Sequence, residues 1–318
     1  LDVRVSRNKF EGCLMRHLTT LFDLTADDVR AILARATELK ALAAKGDRPA
    51  ILKNRVLTQI YDKPSLRTRL SFDAAMVHLG GESVFFTAQD AGLYGRESLA
   101  DVARVVGGIS DAIVLRTFSH TTIEEFCEWA PCPVINGLSD DYHPCQALTD
   151  YFTVQEVFGE LSGQKIVFVG DGNNVAASLA ILSSMLGLPM TLACPVGYEL
   201  NETIFAEIRK CYPDSQFMYS HDPMEAVKDA DVIYTDVWAS MGQEAEAQKR
   251  NAAFAGFQVN AKLLAAAPST CRFMHDLPAR RGLEVTDEVM DGEQSIVFLQ
   301  SENRMHLAKG VLAWLLEA

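Results

Sequence analysis

Short continuous apolar runs alternate along this chain with longer segments whose apolar residues recur at helical spacing. The runs at 52–61, 83–87, 112–116, 133–136, 165–169, 190–194, 217–219, 231–235 and 272–274 read as strands, since each is brief and bounded by polar or turn-forming residues. Segments 25–45, 65–79, 98–109, 122–129, 144–157, 201–211, 224–230 and 303–318, and one ending at Leu186, read as helices. Thr25 caps the first, with Asp27 and Asp28 in its first turn and Val29, Ile32, Leu33, Leu39 and Leu42 as its apolar stripe. Ser65 caps the second, in which Leu70, Phe72, Ala75, Met76 and Leu79 form the apolar run and Gly80-Gly81 ends it. Strand and helix in alternation, with strands apolar throughout, predict parallel sheets covered on both faces. The expected architecture is α/β: two domains, over 1–150 and 151–302, each with a central parallel sheet flanked by helices. The C-terminal helix, 303–318, is expected to pack back on the first domain. Ligands of such sheets bind past the carboxyl ends of the strands, where Ser65, Arg116 and segment 136–146 fall.

Composition narrows the classes of partner. A chain of 318 residues, 48% hydrophobic and 22% charged, is long enough for two cores. Its formal net charge of −13 argues against non-specific nucleic-acid binding, although a local cationic pocket for a small anion is compatible with it. No stretch approaches about 18 uncharged apolar residues, so no membrane span is expected. Residues 1–17 carry several charges and no long apolar core, so no signal peptide is expected. Seven scattered cysteines, an odd number without a C-x-x-C pair, indicate neither a zinc site nor a disulfide framework. Reduced thiols in a cytoplasmic protein are the expectation.

The candidate chemistry starts at Lys63-Pro64-Ser65-Leu66-Arg67-Thr68-Arg69. Ser65, Arg67, Thr68 and Arg69 crowd a first helical turn, where orphan N–H groups and the positive end of the macrodipole favour an anion. Two arginines there oppose the dipole, which calls for an anionic partner. An ordinary capped helix with surface arginines explains the same residues. Gly170-Asp171-Gly172 after a strand suggests dinucleotide binding, but Val175 stands where the third glycine is needed and the next strand runs into Cys194-Pro195-Val196, without an acid for a ribose. Asn173 and Asn174 fit either a polar ligand or plain turn chemistry. His143-Pro144-Cys145-Gln146 opens a helix, with Pro144 at its first position, so that His143 and Gln146 can face one ligand. Asp236-Val237-Trp238-Ala239-Ser240-Met241-Gly242 and His275-Asp276-Leu277-Pro278 each follow a strand directly. Arg304 is expected in the first turn of the last helix, a position that requires an anionic or carbonyl partner.

Taken in order, the strings SLRTR, VLRTF, HPCQ, GDGNNV, DVWASMG, HDLPARRG and SENRMH resemble the aspartate/ornithine carbamoyltransferase family, on its ornithine side, over nearly the whole chain. The resemblance implies that the first domain binds carbamoyl phosphate, that the second binds L-ornithine, and that the protein then closes. The δ-amine attacks the carbamoyl carbon and yields citrulline and phosphate, with no metal or organic cofactor. It further implies that Ser65, Leu66 through its backbone, Arg67 and Thr68 hold the phosphate, and that Arg116 bridges phosphate and carbonyl oxygen. His143, Gln146, Arg304 and the backbone of Leu277 attend the carbamoyl group. Asn174, Asp236, Ser240, Met241 and Asp276 hold the ornithine. Arg116, His143, Asp276 and Arg304 are the implied catalytic residues. Carbamoyl phosphate and L-ornithine are the implied partners, and a homotrimer with active sites near subunit interfaces the implied assembly.

The chain departs from the family pattern in two places. Asp276 stands where the family has a cysteine beside the reacting amine. Ionised, it would favour the protonated, non-nucleophilic amine; as a base it would accept the amine's proton. In the loop Gly92-Leu93-Tyr94-Gly95-Arg96-Glu97, Gly92 and Tyr94 replace the family's Gln and Gly. These departures leave two alternatives: another amino acid with a side-chain amine as acceptor, or a catalytically weakened homologue. The intact Ser240-Met241-Gly242 favours an α-amino acid over a plain diamine.

Overall fold

A computed structural model of the chain describes residues 9–10, 13–95, 97–239 and 244–317. The chain divides into two units, one of residues 1–152 and 302–318 and one of residues 153–301.

The first unit opens with an antiparallel pair, β1 (Lys9–Phe10) and β2 (Cys13–Leu14). Helix α1 (Ala26–Ala44) follows. Its start is fixed by a capping box in which Thr25 accepts from the Asp28 N–H and Asp28 from the Thr25 N–H. Then come β3 (Val56–Tyr61), α2 (Leu66–His78), β4 (Glu82–Thr87), α3 (Leu99–Ile109), β5 (Ala112–Arg116), α4 (His120–Trp129), β6 (Val134–Leu138) and α5 (Pro144–Phe158). The sheet is parallel in the order β4-β3-β5-β6. Ile60, Ile113, Leu115, Ile123, Phe126 and Val134 are among its buried core residues, each contributing roughly 1.5–3 kcal/mol relative to exposure. Two residues of the expected apolar stripes lie outside the buried core: Leu42 of α1 is half-buried, and Leu70 is 61% exposed, whereas Phe72, Ala75, Met76 and Leu79 are buried.

The second unit runs β7 (Ile166–Val169), α6 (Asn174–Leu186), β8 (Met190–Ala193), α7 (Glu202–Cys211), β9 (Phe217–Ser220), α8 (Pro223–Ala226), β10 (Val232–Thr235), α9 (Ala247–Ala253), α10 (Ala261–Leu264), β11 (Arg272–His275) and α11 (Asp287–Met290). Its sheet is parallel in the order β11-β10-β7-β8-β9. Val167, Val169, Ile233, Trp238, Phe254 and Phe273 belong to its core. Helix α8 is shorter than its sequence suggests. Asp222 caps it and Pro223 begins it, and the Val227 N–H already closes on the Pro223 carbonyl.

The last helix, α12 (Val297–Leu316), starts six residues before Asn303. Its polar stretch reads as a start signal but lies inside the helix, where Gln300 is buried by hydrogen bonds to the Tyr234 hydroxyl and the His275 N–H. Arg304 is therefore the eighth residue of α12, away from the helix dipole's positive end. The C-terminal part of α12 packs back on the first unit. Gly310 lies so close to α1 that a Cβ there would meet the Ile32 carbonyl oxygen at 2.7 Å, and the Lys309 ammonium donates to the Leu39 carbonyl at 3.1 Å.

Candidate functional site

In the first unit, β3, β5 and β6 deliver one set of side chains past their carboxyl ends. Ser65 caps α2 in extended backbone; its Oγ accepts the Thr68 N–H at 3.2 Å and its hydroxyl donates to Thr68 Oγ1 at 2.9 Å. That first turn holds no acidic residue. Thr68 is buried, and its Oγ1 also receives Arg304 Nη2 at 2.9 Å and Arg116 Nη1, more weakly, at 3.4 Å. One neutral hydroxyl thus gathers two guanidinium groups beside a helix N-terminus, an arrangement suited to oxygen atoms that carry negative charge. Arg67 is half-buried in the same turn, and the Leu66 side chain points to solvent, which leaves Leu66 its backbone N–H as the useful group.

His143 is buried. Burial, with Arg304 and Arg116 beside it, holds its pKa well below the ordinary imidazole value, so the ring is neutral at physiological pH. Its carbonyl accepts from the Gln146 and Ala147 N–H groups and starts α5. Gln146 accepts from Arg304 Nη1 through Oε1 and donates from Nε2 to Asp150 at 2.8 Å. Asp150 escaped the reading of the sequence, although it lies four residues beyond Gln146 on one helix face, the spacing of a side-chain pair. Lys63 flanks the Ser65 turn in sequence. It is buried with its ammonium paired to Asp140 and 4.4 Å from the Phe118 ring centre. In the departing loop, Tyr94 donates to Asp62 at 2.9 Å, just before that turn. Burial and Asp62 push its phenol up to about 12.

The second unit repeats the placement with opposite chemistry. Gly172 forms a turn that only glycine fits, since a Cβ would meet the Glu199 backbone at 2.4 Å. Asn173 caps α6, accepting from the Val175 and Ala176 N–H groups at 3.0 Å, and donates to Asp236 Oδ2 at 2.7 Å. Asn174 is the half-buried first residue of α6. Asp236 follows β10 and accepts the Val237 N–H at 2.6 Å. Burial and the neighbouring Asp276 raise its pKa well above the carboxylate range. Asp276 follows β11. Leu277, with φ +61°, turns the chain so that its N–H donates to His275 Nδ1 at 2.9 Å. The other ring nitrogen of His275 faces buried Glu284 at 3.2 Å. Burial opposes charge on His275, but Asp276, Glu284 and Asp236 outweigh it and push its pKa up to about 9. In the neutral ring the N–H donated to Nδ1 leaves the proton on Nε2, facing Glu284, and protonation of Nδ1 would cost the Leu277 hydrogen bond.

Asp236, His275 and Asp276 bring ligand atoms within 4.8 Å of one another, a cluster able to receive a cation, organic or metallic. Ser240 and Met241 lie outside the described residues. A further organiser is Arg250, which joins Asp171 at 2.6 Å to the Trp238 carbonyl at 3.1 Å and so ties the Gly172 turn to the segment after β10. Partners 79 residues apart leave no local signal of this in sequence.

Comparison with known proteins gives two matching family models. One, described as the carbamoyl-P binding domain of aspartate/ornithine carbamoyltransferase, matches residues 16–156, and the other, the Asp/Orn binding domain, matches residues 162–315. The anabolic ornithine carbamoyltransferase of Pyrococcus furiosus is 49% identical over 94% of this chain and 95% of its own. The ornithine carbamoyltransferase of Bacillus subtilis is 48% identical over 93% and 92%. Among solved structures, the ornithine carbamoyltransferase of Pyrococcus furiosus superposes with a TM-score of 0.92 at 48% identity, covering 95% of this chain and 97% of that one.

Proposed function

The chain belongs to the aspartate/ornithine carbamoyltransferase family, and on that premise we propose that it transfers the carbamoyl group of carbamoyl phosphate to the δ-amine of L-ornithine, giving L-citrulline and phosphate for arginine biosynthesis. The observation that carries this reading is the Thr68 hydroxyl shared by Arg116 and Arg304 at the start of α2. In the proposed mechanism Ser65, Arg67, Thr68 and the Leu66 N–H hold the phosphate, and the Thr68 hydroxyl yields its guanidinium partners to phosphate oxygens. Arg116 and Arg304 stabilise the oxygen that gains charge as the amine nitrogen attacks the carbamoyl carbon. The bond from that carbon to the phosphate oxygen then breaks and the electron pair leaves with phosphate. His143, kept neutral, and Gln146 orient the carbamoyl group without adding a cation to the site, and Leu277 attends it through its backbone. Asp236, Asn174, Asp276, Ser240 and Met241 hold the amino acid, and Asp276 is the acceptor for the proton that the amine loses.

Residues 1–150 serve carbamoyl phosphate, residues 151–302 serve ornithine, and the C-terminal segment 303–318 returns Arg304 to the first set. A cytoplasmic homotrimer is part of the proposal. Among the described residues, no helix is long and apolar enough to cross a membrane, and Cys132, Cys145, Cys194, Cys211 and Cys271 are free thiols, as a reducing compartment favours. Leu70 and Val77 on α2, with Val84 and Phe86 on edge strand β4, are exposed, and such apolar surface suits subunit association. Sedimentation should return three times the mass of the chain.

The decisive assay measures phosphate release from carbamoyl phosphate with ornithine, lysine, putrescine, N-acetylornithine and N-succinylornithine. Release with ornithine far above the rest is expected. Release with another amine would reassign the acceptor, and none with any would sink the enzymatic reading.

A further inference from the structure

At the carboxyl edge of the second sheet, away from Asp236 and Asp276 in the sequence, adjacent strands end side by side. Cys194 follows β8 directly and His221 follows β9. The two strands pair in parallel with Ala193 opposite Ser220, and the Cys194 N–H donates to the Ser220 carbonyl at 3.0 Å. The segment after Cys194 turns back at Gly197 and brings Glu199 over both. The Cys194 thiol, a Glu199 carboxylate oxygen and a His221 ring nitrogen lie within 4.8 Å of one another.

Two features make this more than a chance cluster. His221 Nδ1 is 2.8 Å from the Cys194 carbonyl oxygen. A carbonyl only accepts, so Nδ1 carries a proton, and it is Nε2 that offers a lone pair when the ring is neutral. That nitrogen faces Glu199 Oε1 at 3.7 Å. The other oxygen of the same carboxylate, Oε2, is held by the Gly197 N–H at 2.8 Å. Two acceptors and a thiol therefore converge, and both acceptors are steered from behind by backbone groups, as the outer partners of metal ligands are. His221 is about half exposed and Glu199 about a third, so the cluster opens to water while Cys194 is buried.

We propose that Cys194, Glu199 and His221 form a binding site for a thiophilic divalent cation of the zinc class, with water as the fourth ligand. A thiolate, an imidazole and one carboxylate suit zinc or cobalt and do not suit magnesium or calcium, which take oxygen donors. Ligand atoms of a tetrahedral zinc lie about 3.3–3.8 Å apart given its usual bond lengths, so modest closure completes the site. On binding, the Cys194 S–H bond breaks, its proton leaves to water and the sulfur binds the metal. The bound cation would join the ends of β8 and β9 to the 195–200 segment. Tyr198 of that segment accepts the Gly172 N–H at 2.8 Å, so the metal would also brace the turn that positions Asn173.

The test is titration of the metal-stripped protein with Co²⁺, followed by absorption. Wild type should bind cobalt with a thiolate-to-cobalt charge-transfer band in the near ultraviolet. His221→Ala, a change at an exposed position, should keep the wild-type circular dichroism and metal-free turnover. It should weaken cobalt binding by more than the roughly 10- to 100-fold that loss of an outer partner costs. Glu199→Gln should weaken binding similarly, and Cys194→Ser should abolish the band. A simple His221–Glu199 ion pair would give no band in wild type. That result, or a His221→Ala protein with unchanged affinity and band, overturns the proposal.

Discussion

In the first unit the side chains past the strand ends include Arg116 and, from α12, Arg304, both donating to one threonine hydroxyl. In the second they are Asp236 and Asp276, arranged about Asn173 and His275. Both units place these groups at the carboxyl edge of a parallel sheet next to a capped helix. The two sites therefore owe their geometry to the same α/β rule and their difference to side-chain charge alone. Each suits one of the proposed substrates: the cationic cradle a phosphate, the acidic cluster an ammonium. The contrast extends to titration. Burial and guanidinium neighbours keep His143 neutral in the first unit, while burial and a second carboxylate raise Asp236 in the other. A protein with a net charge of −13 can thus bind an anion because the cations are gathered locally, as field focusing in a buried site allows.

The largest effect expected from breaking this contrast is at the cationic site. Arg116→Gln should lower kcat by about 10²- to 10³-fold, the usual cost of losing one charge-stabilising donor. Thr68→Val removes the shared hydroxyl and keeps the shape. It should raise the KM for carbamoyl phosphate by roughly tenfold or more, the scale of a hydrogen bond to a charged group. Steady-state kinetics with ornithine saturating separates the two. Equal, small effects would mean that the arginines serve the fold and not the anion.

How much of this contrast the sequence carries differs between the sites. The Ser65 and Thr25 caps and the alternating strands are local patterns, and they appear in the fold where their residues predict them. The sharing of Thr68 by two arginines is not local. It joins residues 48 and 236 positions apart, and no periodicity encodes it. Arg304 illustrates the failure well. The polar string Ser301-Glu302-Asn303 imitates a helix start, but Val297 already begins the helix and tertiary hydrogen bonds bury Gln300 within it. In Leu70 the hydropathy of one residue reads as core when it is surface, because an apolar side chain at helical spacing does not by itself say which face of the helix is covered.

An intermediate effect is expected at the acidic site, where it takes the form of a pH shift. The ionised form of Asp236 is the one suited to an ammonium, so on the proposed reading the affinity for ornithine should fall as pH drops through its raised pKa. After burial, Asp276 is the neighbouring group that raises it. Asp276→Asn removes that charge, lowers the pKa of Asp236 and should move the acid limb of kcat/KM for ornithine to lower pH. The limb for carbamoyl phosphate should stay in place, because the groups that set it belong to the other unit. A limb that does not move would separate Asp276 from the amine chemistry.

The smallest effect sharpens the comparison within the acidic site, between neighbours that the sequence cannot tell apart. Asn173 is committed to the fold: its Oδ1 caps α6 and its Nδ2 holds Asp236. Asn174 stands next to it, half-buried at the first position of the helix, and is proposed to meet ornithine. Asn173→Ala should cost about 1 kcal/mol of stability, the usual worth of an N-cap, and lower the melting temperature by a few degrees at most for a unit of this size. Asn174→Ala should leave the melting temperature in place and raise the KM for ornithine instead. Thermal denaturation and ornithine kinetics on both variants read the two roles separately, and an exchange of the two results would show that the asparagine proposed to bind ornithine is the one that caps the helix.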